Sequence, residues 1–525
     1  MTSLVDEGVD DSVATAPPER ARRLPGWLVP ATVGAIVALG VVLRFVQRSP
    51  LWLDEALSVD IAKLPVPDLL DALRHDGHPP LYYLVLHYWM EVFGDGDVAV
   101  RALSGVLAVA ALPLVWIAGK RLAGAAGGRW ALVVVALSPY WIRYATETRM
   151  YALVMLLVLA GYLLVLDALD RPTIPRLVGI AVVSGLLLLS HYWAIYLVMA
   201  VGLVLALRWW RQPASRGTSA RLLIAVAAGG LLFLPWLGGF LYQAAHTGTP
   251  WGQPFRPTAI VEVTLRDLGG GEITEAGLYG SVLLALALLA LLAVRTRGDQ
   301  ITLDVRTAPA VRRELAVTGL VIAIGTAAGI ATNATYQSRY AAVVVPLVLL
   351  AVAVGITRVP GPARLLVGVV YIGLALVGIV WVNYYQRTQS VPVGDAVAAR
   401  AQPGDVVVYC PDQLGPAYSR EMPAGVDGMS YPALTSPRLV DWVDYADRNA
   451  AADPDAVARE VRQRADGHAV FLVWMPDYRT LEGQCEQLSA ALGVTETLVT
   501  QDNSRYFEPA YLQYAPPQPA ATGGS

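Results

Sequence analysis

LYYLVLHYWMEVF, residues 81–93, is apolar enough to pass for a membrane crossing, and whether it crosses decides the topology of everything after it. A crossing helix needs about 20 residues to traverse a hydrocarbon core about 30 Å thick. This stretch has 13 and is interrupted by His87 and Glu91. Counting it as a crossing would turn Lys120, Arg121 and Arg129 to the outside and invert every later loop, although Lys and Arg concentrate in cytoplasmic loops. It reads instead as an outer-face helix lying in the interface or re-entering the membrane.

With that segment set aside, longer apolar runs remain near residues 27–46, 99–119, 125–141, 150–169, 177–191, 193–208, 221–242, 277–295, 315–333, 340–357 and 364–383. They predict about 11 crossings. The 525 residues are 55% hydrophobic and 15% charged, where a soluble chain carries about 25% charge, so a soluble enzyme is excluded. Lys plus Arg (39) and Asp plus Glu (42) nearly cancel, and no basic stripe interleaves with aromatics, which excludes a nucleic-acid binder. Arg20, Arg22 and Arg23, then Lys120, Arg121 and Arg129, and further basic clusters at 171–176, 208–221, 295–313 and 358–364 alternate with loops poorer in Lys and Arg. The amino terminus is therefore expected in the cytoplasm.

The expected fold class is a polytopic α-helical membrane protein with a C-terminal extracytoplasmic α/β domain. Residues 1–26 read as a disordered cytoplasmic tail, 27–385 as the membrane module with a first outer loop at 47–98, 386–515 as the α/β domain, and 516–525 as a flexible tail. The α/β expectation rests on short apolar runs, VVVYC and AVFLVWM, set among amphipathic stretches such as DPDAVAREVRQRA. Cys410 and Cys485 both fall in this outer part, where oxidation is permitted. They pair as a disulfide or stand as two core thiols, and spacing does not decide between these.

Four motifs fall on the outer side once charge has set the topology. In RSPLWLDEALSVD, Asp54 and Glu55 form an acidic pair among apolar neighbours, suited to proton abstraction or to holding a divalent cation. Adjacent helical residues point apart, so one of the two is expected to face the reacting centre. The plainer reading makes Asp54 a cap for a helix beginning near Ala56. In HDGHPPLYY, Pro79 and Pro80 hold His78 at a turn before Tyr82, where an imidazole can donate to a phosphate or merely cap the helix. SPYWIRYATETRMYAL carries Glu147, Arg149 and Tyr151 in a short loop rich in Tyr and Trp; an interfacial aromatic belt with a loop ion pair explains it equally. Arg339, in ATYQSRYAAVVVPLVLL, sits at the outer mouth of a span, either clamping a phosphate or snorkelling. His191, at another outer turn, is a weaker candidate of the same kind.

LWLDEA, HPPLYY, the inner loop GKRLAG with the following GGRWALVVVALSPYWIRYATETRMYAL, and SRYAAVVVP, in this order, resemble the glycosyltransferase C superfamily. The likeness is to the bacterial relatives of protein O-mannosyltransferases and to the enzymes that add aminoarabinose to lipid A, and it spans about residues 27–385. It implies inverting transfer of a hexose or pentose from a polyprenyl-phosphate donor to an envelope lipid, glycan or protein, at the extracytoplasmic face of a plasma membrane whose lipids surround the spans. It carries the family's catalytic Asp to Asp54 as general base, with Glu55 completing the acidic pair, matches the second acidic loop motif to Glu147 as a further catalytic acid, and matches the HPP histidine to His78; Arg149 and Arg339 are the candidates for the donor phosphate, and Tyr82, Tyr151 and His191 are further candidate substrate contacts. A divalent cation at Asp54 and Glu55 stays open. Protein O-mannosyltransferases carry a β-trefoil domain between spans for which residues 243–276 leave no room, which favours a lipid or glycan acceptor. A lipid-linked-sugar flippase would instead place ionisable residues near span centres and paired Gly or Pro breaks in two halves, neither of which the sequence shows. A non-catalytic assembly factor would not depend on Asp54.

Overall fold

The computed structural model describes residues 25–249, 252, 256–297, 300–304, 306 and 311–518. Most of the two expected tails, at 1–24 and 519–525, lies outside the described residues. The chain opens with α1 (Leu28–Leu43), then runs through three short helices, α2 (Leu53–Ala62), α3 (Val66–Asp76) and α4 (Leu81–Phe93). The segment 81–93 is thus a helix of its own; Tyr82, Tyr83, Leu86 and Met90 are buried and α4 packs on α2.

The membrane part continues with α5 (Asp97–Ala136), α6 (Pro139–Ala145), α7 (Tyr151–Asp170), α8 (Ile174–Leu188), α9 (Trp193–Arg211), α10 (Arg216–Phe233), α11 (Leu237–His246), α12 (Pro257–Leu268), α13 (Thr274–Leu292), α14 (Arg312–Thr332), α15 (Val345–Arg358) and α16 (Gly361–Tyr384). Seven of the described helical stretches are long and apolar enough to cross a membrane, and α1, α8 and α15 are shorter apolar helices. Helix α5 is two arms. Ala123 and Gly124 (φ +64°) leave helical geometry, and a Cβ on Gly119 would stand 2.5 Å from the Ala131 Cβ and 2.7 Å from the Gly127 carbonyl oxygen. Residues eight apart on a straight helix are separated by about 12 Å, so the chain doubles back here. Counting both arms reproduces the alternation of the expected spans. Arg44, buried at the end of α1, donates to the carbonyls of Val135 and Ala136 and so satisfies the last turn of the second arm.

Three expectations need correction. The span placed at 125–141 ends at Ala136, because Ser138 accepts from the Trp141 N–H and starts α6 as a separate turn. The span placed at 340–357 begins at Val345, after a 3-10 turn at Ser338–Val343. The loop at 243–276 contains helix α12, and a hairpin of β1 (Ala293–Arg297) and β2 (Gln300–Leu303) precedes α14.

Helix α15 lies at the centre: from Val345 to Ile356 every residue but Val348 is buried, as expected of a helix apolar all round. It reaches α13 through Gly355, where an added Cβ would come within 2.0 Å of the Leu286 carbonyl oxygen.

After Tyr385 come β3 (Gln386–Thr388), α17 (Ser390–Ala398), β4 (Val406–Cys410), α18 (Gly415–Tyr418), β5 (Asp427–Ser430), α19 (Tyr445–Ala450), α20 (Pro454–Ala465), β6 (Val470–Trp474), α21 (Gln484–Ala491), β7 (Glu496–Val499), β8 (Tyr506–Glu508) and β9 (Tyr511–Ala515). Five strands form a sheet of order β5-β4-β6-β9-β7, parallel through β5, β4 and β6 and antiparallel beyond. Alternation along β4 sends Val406, Val408 and Cys410 to the face covered by α20 and α21, and Val407 and Tyr409 to the face covered by α17 and α18. Cys410 and Cys485 are joined as a disulfide that ties β4 to α21. Strand β8 leaves this sheet to pair with β3, which directly follows the last membrane helix.

Gly355→Ala should lower the thermal unfolding temperature by the equivalent of about 1–3 kcal/mol through overpacking. Gly373→Ala, in α16 with nothing within 4 Å of the new methyl, should leave it unchanged or raise it slightly. Equal melting of the two variants in detergent would contradict the close approach of α13 and α15.

Candidate active site

Helix α2 starts at Leu53, earlier than the expected start near Ala56, so Asp54 occupies the first turn and does not cap it. The cap comes from far along the chain: the Leu53 N–H donates to Oε2 of Glu508 at 3.1 Å. Burial, reinforced by the charges of Asp54 and Glu55, pushes the Glu508 carboxyl well above the usual range. Consecutive helical residues diverge by about 100°, and the two acids behave accordingly.

Glu55 points inward and is fully buried. Arg101 grips it with two bonds, Nε to Oε1 at 2.8 Å and Nη2 to Oε2 at 2.6 Å; the Thr148 N–H donates at 2.9 Å and Arg387 Nη1 stands 3.2 Å away. Burial alone would raise this carboxyl, but Arg101 and Arg387 outweigh it and hold it below the ordinary range. Arg387 also approaches Glu147 at 3.7 Å and donates to the Thr146 carbonyl. Glu147 has the weaker partner: burial, with the charges of Glu55 and Asp54, outweighs Arg387 and raises its carboxyl.

Asp54 turns the other way. Its Oδ2 lies 2.8 Å from Arg339 Nη1 and 4.0 Å from Arg149 Nε. Arg339 in turn stacks over Trp52, its guanidinium carbon 5.8 Å from the ring centre, and its own carbonyl accepts from the Tyr140 hydroxyl at 3.1 Å.

Arg149 is the hub of a second network. Its Nη1 donates to Ser58 Oγ (3.0 Å) and the Tyr83 hydroxyl (3.1 Å), and its Nη2 lies 2.8 Å from His78 Nε2. A guanidinium only donates, so His78 Nε2 accepts, and the ring proton sits on Nδ1, which donates to Asp76 Oδ2 at 2.9 Å. The Tyr83 hydroxyl donates to the same oxygen at 2.7 Å. Burial would raise Asp76, yet His78, Arg149 and Tyr83 together hold it below its usual range.

The structure therefore regroups the expected residues. Asp54, Arg149 and Arg339 converge, while Glu147 stands beside Arg387, which it shares with Glu55. Glu55 is committed to Arg101 and Arg387 and does not share a site with the Asp54 carboxylate. His78 has both ring nitrogens engaged, one with Asp76 and the other with Arg149. Tyr82 is fully buried with its hydroxyl 3.1 Å from Ser104 Oγ, so it is a packing residue, while its neighbour Tyr83 joins the network. The Tyr151 ring packs 5.8 Å from His191, which lies 5.4 Å from Tyr340. His191 Nδ1 accepts the Trp193 N–H at 3.1 Å, and burial, then the nearby His78, Arg149 and Arg339, lower its pKa well below the usual value.

A divalent cation does not fit this donor set. Asp54 faces two guanidiniums and Glu55 two others, and among the described residues no group of three or more His, Cys, Asp or Glu gathers. Sequence reading also missed Arg101, Arg387, Asp76, Tyr83 and Glu508. An arginine at the start of an apolar span, such as Arg101, is itself a signal that a buried acid must exist elsewhere.

The turn at 338–343 divides two cavities. One, of 520 Å³, is lined by Trp52, Arg339 and Arg387, with Arg143 and Arg266 paired there to Asp267 and Glu262; the other, of 660 Å³, by His78, His191, Trp193, Tyr340 and Trp442.

Replacing Arg387 by Met should cost about 3–5 kcal/mol by stranding buried carboxylates. Adding Glu147→Gln to that variant should recover part of the loss in a double-mutant cycle read by thermal unfolding; strict additivity would show that the two do not interact. Glu55 and Asp76 titrate below their unfolded values, so the stability they contribute is present above about pH 4 and lost as pH falls through their lower folded values. Asp76→Asn should accordingly flatten the acid limb of the stability–pH curve.

Residues 77–238 match the family described as dolichyl-phosphate-mannose-protein mannosyltransferase. No curated protein matches the chain in sequence. In structure the chain is similar to ArnT from Cupriavidus metallidurans bound to undecaprenyl phosphate, with a TM-score of 0.58 at 13% identity over 93% of this chain and 98% of that one. The apo state of the same protein gives 0.58 at 14% identity over 92% and 98%. Arabinofuranosyltransferase AftD from Mycobacteria aligns with 93% of this chain but 40% of its own, at 15% identity and a TM-score of 0.50. The chain is thus a multi-pass membrane protein that shares its fold with these solved structures, and its residues 77–238 match the mannosyltransferase family.

Proposed function

We propose that the chain transfers a monosaccharide from a polyprenyl-phosphate donor to a hydroxyl of an envelope lipid or glycan, with Asp54 as the base. The observation that carries this reading is the contrast between neighbouring carboxylates. Glu55 is gripped by Arg101, Arg387 and Thr148, and Asp76 by His78 and Tyr83, whereas Asp54 is held chiefly by one ion pair to Arg339. A phosphate can compete for a guanidinium. A donor entering the arginine-lined cavity takes Arg339 as its phosphate ligand and leaves the Asp54 carboxylate beside the reacting centre. Arg149, its terminal nitrogens already engaged, keeps Asp54 in place. The aromatic cavity on the side of His191 and Tyr340 suits sugar or acceptor faces.

The chemistry then needs little more. The acceptor oxygen attacks the anomeric carbon, the bond from that carbon to the phosphate oxygen breaks, and the electron pair leaves on the polyprenyl phosphate. Asp54 takes the hydroxyl proton. One displacement inverts the anomeric centre, as the likeness to the mannosyltransferases implies. Support for the donor class comes from ArnT, solved with undecaprenyl phosphate, and from the matched family's description, which names a dolichyl-phosphate sugar.

Orientation follows from charge. Lys120, Arg121, Arg129, Arg171, Arg176, Arg208, Arg211, Arg216, Arg221 and Arg358 occupy the ends of the helices away from Asp54, which supports a cytoplasmic location for that end and an outer one for the site. The Cys410–Cys485 disulfide is at home on that outer side.

Purified protein given labelled undecaprenyl-phosphate sugars should transfer them to an envelope extract. Asp54→Asn should lower turnover by about 10²-fold or more with donor binding kept. Arg339→Met should raise the donor KM. Undiminished turnover in Asp54→Asn removes the assigned base, and translocation of the donor across proteoliposomes without bond cleavage would replace the transferase reading by a flippase.

A further inference from the structure

At the opposite end of the bundle from Asp54, helices α7, α8, α9, α10 and α14 leave a groove of 510 Å³ that the transfer reaction does not use. Its walls are Val, Leu and Ile along most of their length, and one end carries Arg208, Arg211, Arg312 and Arg313. The lining holds one acid, Glu314, whose carboxylate accepts the Tyr162 hydroxyl at 2.7 Å. Among the described residues of the lining the guanidiniums outnumber the carboxylate, which leaves the mouth positive. The Nε of Arg208 is shielded from solvent and has no hydrogen-bond partner.

The dimensions identify what such a groove takes. From Val158 to Leu169 on α7 the lining advances 11 residues, about 17 Å, close to the half-thickness of about 15 Å of a hydrocarbon core. The groove thus spans a single leaflet, with its basic end at the interface and its apolar end at the membrane middle. Along α9, Arg208 lies 15 residues from Trp193, which packs on Tyr340. That separation of about 22 Å sets the basic mouth far from the Asp54 site. Helix α14, which forms one wall, is the least buried of the seven long spans, so a chain lying in the groove would join it to the rest of the bundle.

We propose that this groove binds one anionic glycerophospholipid of the leaflet opposite the active site, an acyl chain laid along the apolar walls and the phosphate held at Arg208 and Arg211 with Arg312 and Arg313 at the rim. Zwitterionic lipids fill the same walls but gain less at the mouth, because each Lys or Arg near the surface contributes about 1 kcal/mol toward anionic lipid.

The full chain in a neutral detergent, titrated with phosphatidylglycerol or with phosphatidylcholine of the same acyl chains, tests this by native mass spectrometry and melting temperature. Wild type should retain one phosphatidylglycerol in preference and melt higher with it. Arg208→Gln with Arg211→Gln should weaken phosphatidylglycerol retention roughly 25-fold, about fivefold per guanidinium. Val204→Phe, which narrows the groove and keeps the arginines, should reduce retention of both lipids while the protein elutes and melts as a folded species. Equal retention of the two lipids by wild type, or unchanged phosphatidylglycerol affinity in both variants, would overturn the proposal. Displacement of phosphatidylglycerol by equimolar polyprenyl phosphate would overturn it too, and would assign the groove to the donor.

Discussion

The buried cluster of Glu55, Arg101 and Arg387 is the constraint on which the rest of the active end depends. It joins the loop after the first span, the head of α5 and the strand that follows the last span. None of these charges is tolerable alone at that depth, since desolvation costs several kcal/mol per ion unless a partner and hydrogen bonds answer it. Each segment therefore needs the other two, and helix α2 is clamped by its own third residue, Glu55. The orientation of Asp54 follows, because fixing Glu55 inward leaves its neighbour about a quarter-turn away, facing Arg339. Two adjacent acids thereby acquire separate surroundings, Glu55 between Arg101 and Arg387 and Asp54 beside Arg339.

The second network shows the same economy of groups. Asp76 fixes the His78 tautomer, His78 and Tyr83 fix Arg149, and Arg149 stands behind Asp54. Residues that stand in sequence as separate candidate contacts are joined in the structure as a chain of supports that ends at the Asp54–Arg339 ion pair.

Much of the architecture was legible because it is written in composition. Apolar runs marked the spans, the shortness of residues 81–93 separated α4 from them, and the short apolar runs VVVYC and AVFLVWM among amphipathic stretches announced the α/β part whose sheet the two faces of β4 realise. Short amphipathic pieces inside loops, α6 and α12, carry no such signature and were read as span end and loop. Partnerships were less accessible still. Glu55 and Arg101 are 46 residues apart, and nothing local says that they meet. In LYY the choice between Tyr82 and Tyr83 depends on the rotation of α4, which its packing on α2 decides. The cysteines were visible as candidates, but only the fold brings Cys410 and Cys485 together across 75 positions.

The contact between Glu508 and the Leu53 N–H links positions 455 residues apart. Its consequence is one of timing. During synthesis the first loop emerges early and waits, with the amide at the head of α2 uncapped, until strand β8 has been made, delivered to the same side and paired with β3. A nascent chain can thus have all its membrane helices in place while the centre at Asp54 is still unfinished. The amide at the head of α2 is satisfied last, with the final strands, so a copy lacking β8 leaves that helix start without its carboxylate partner.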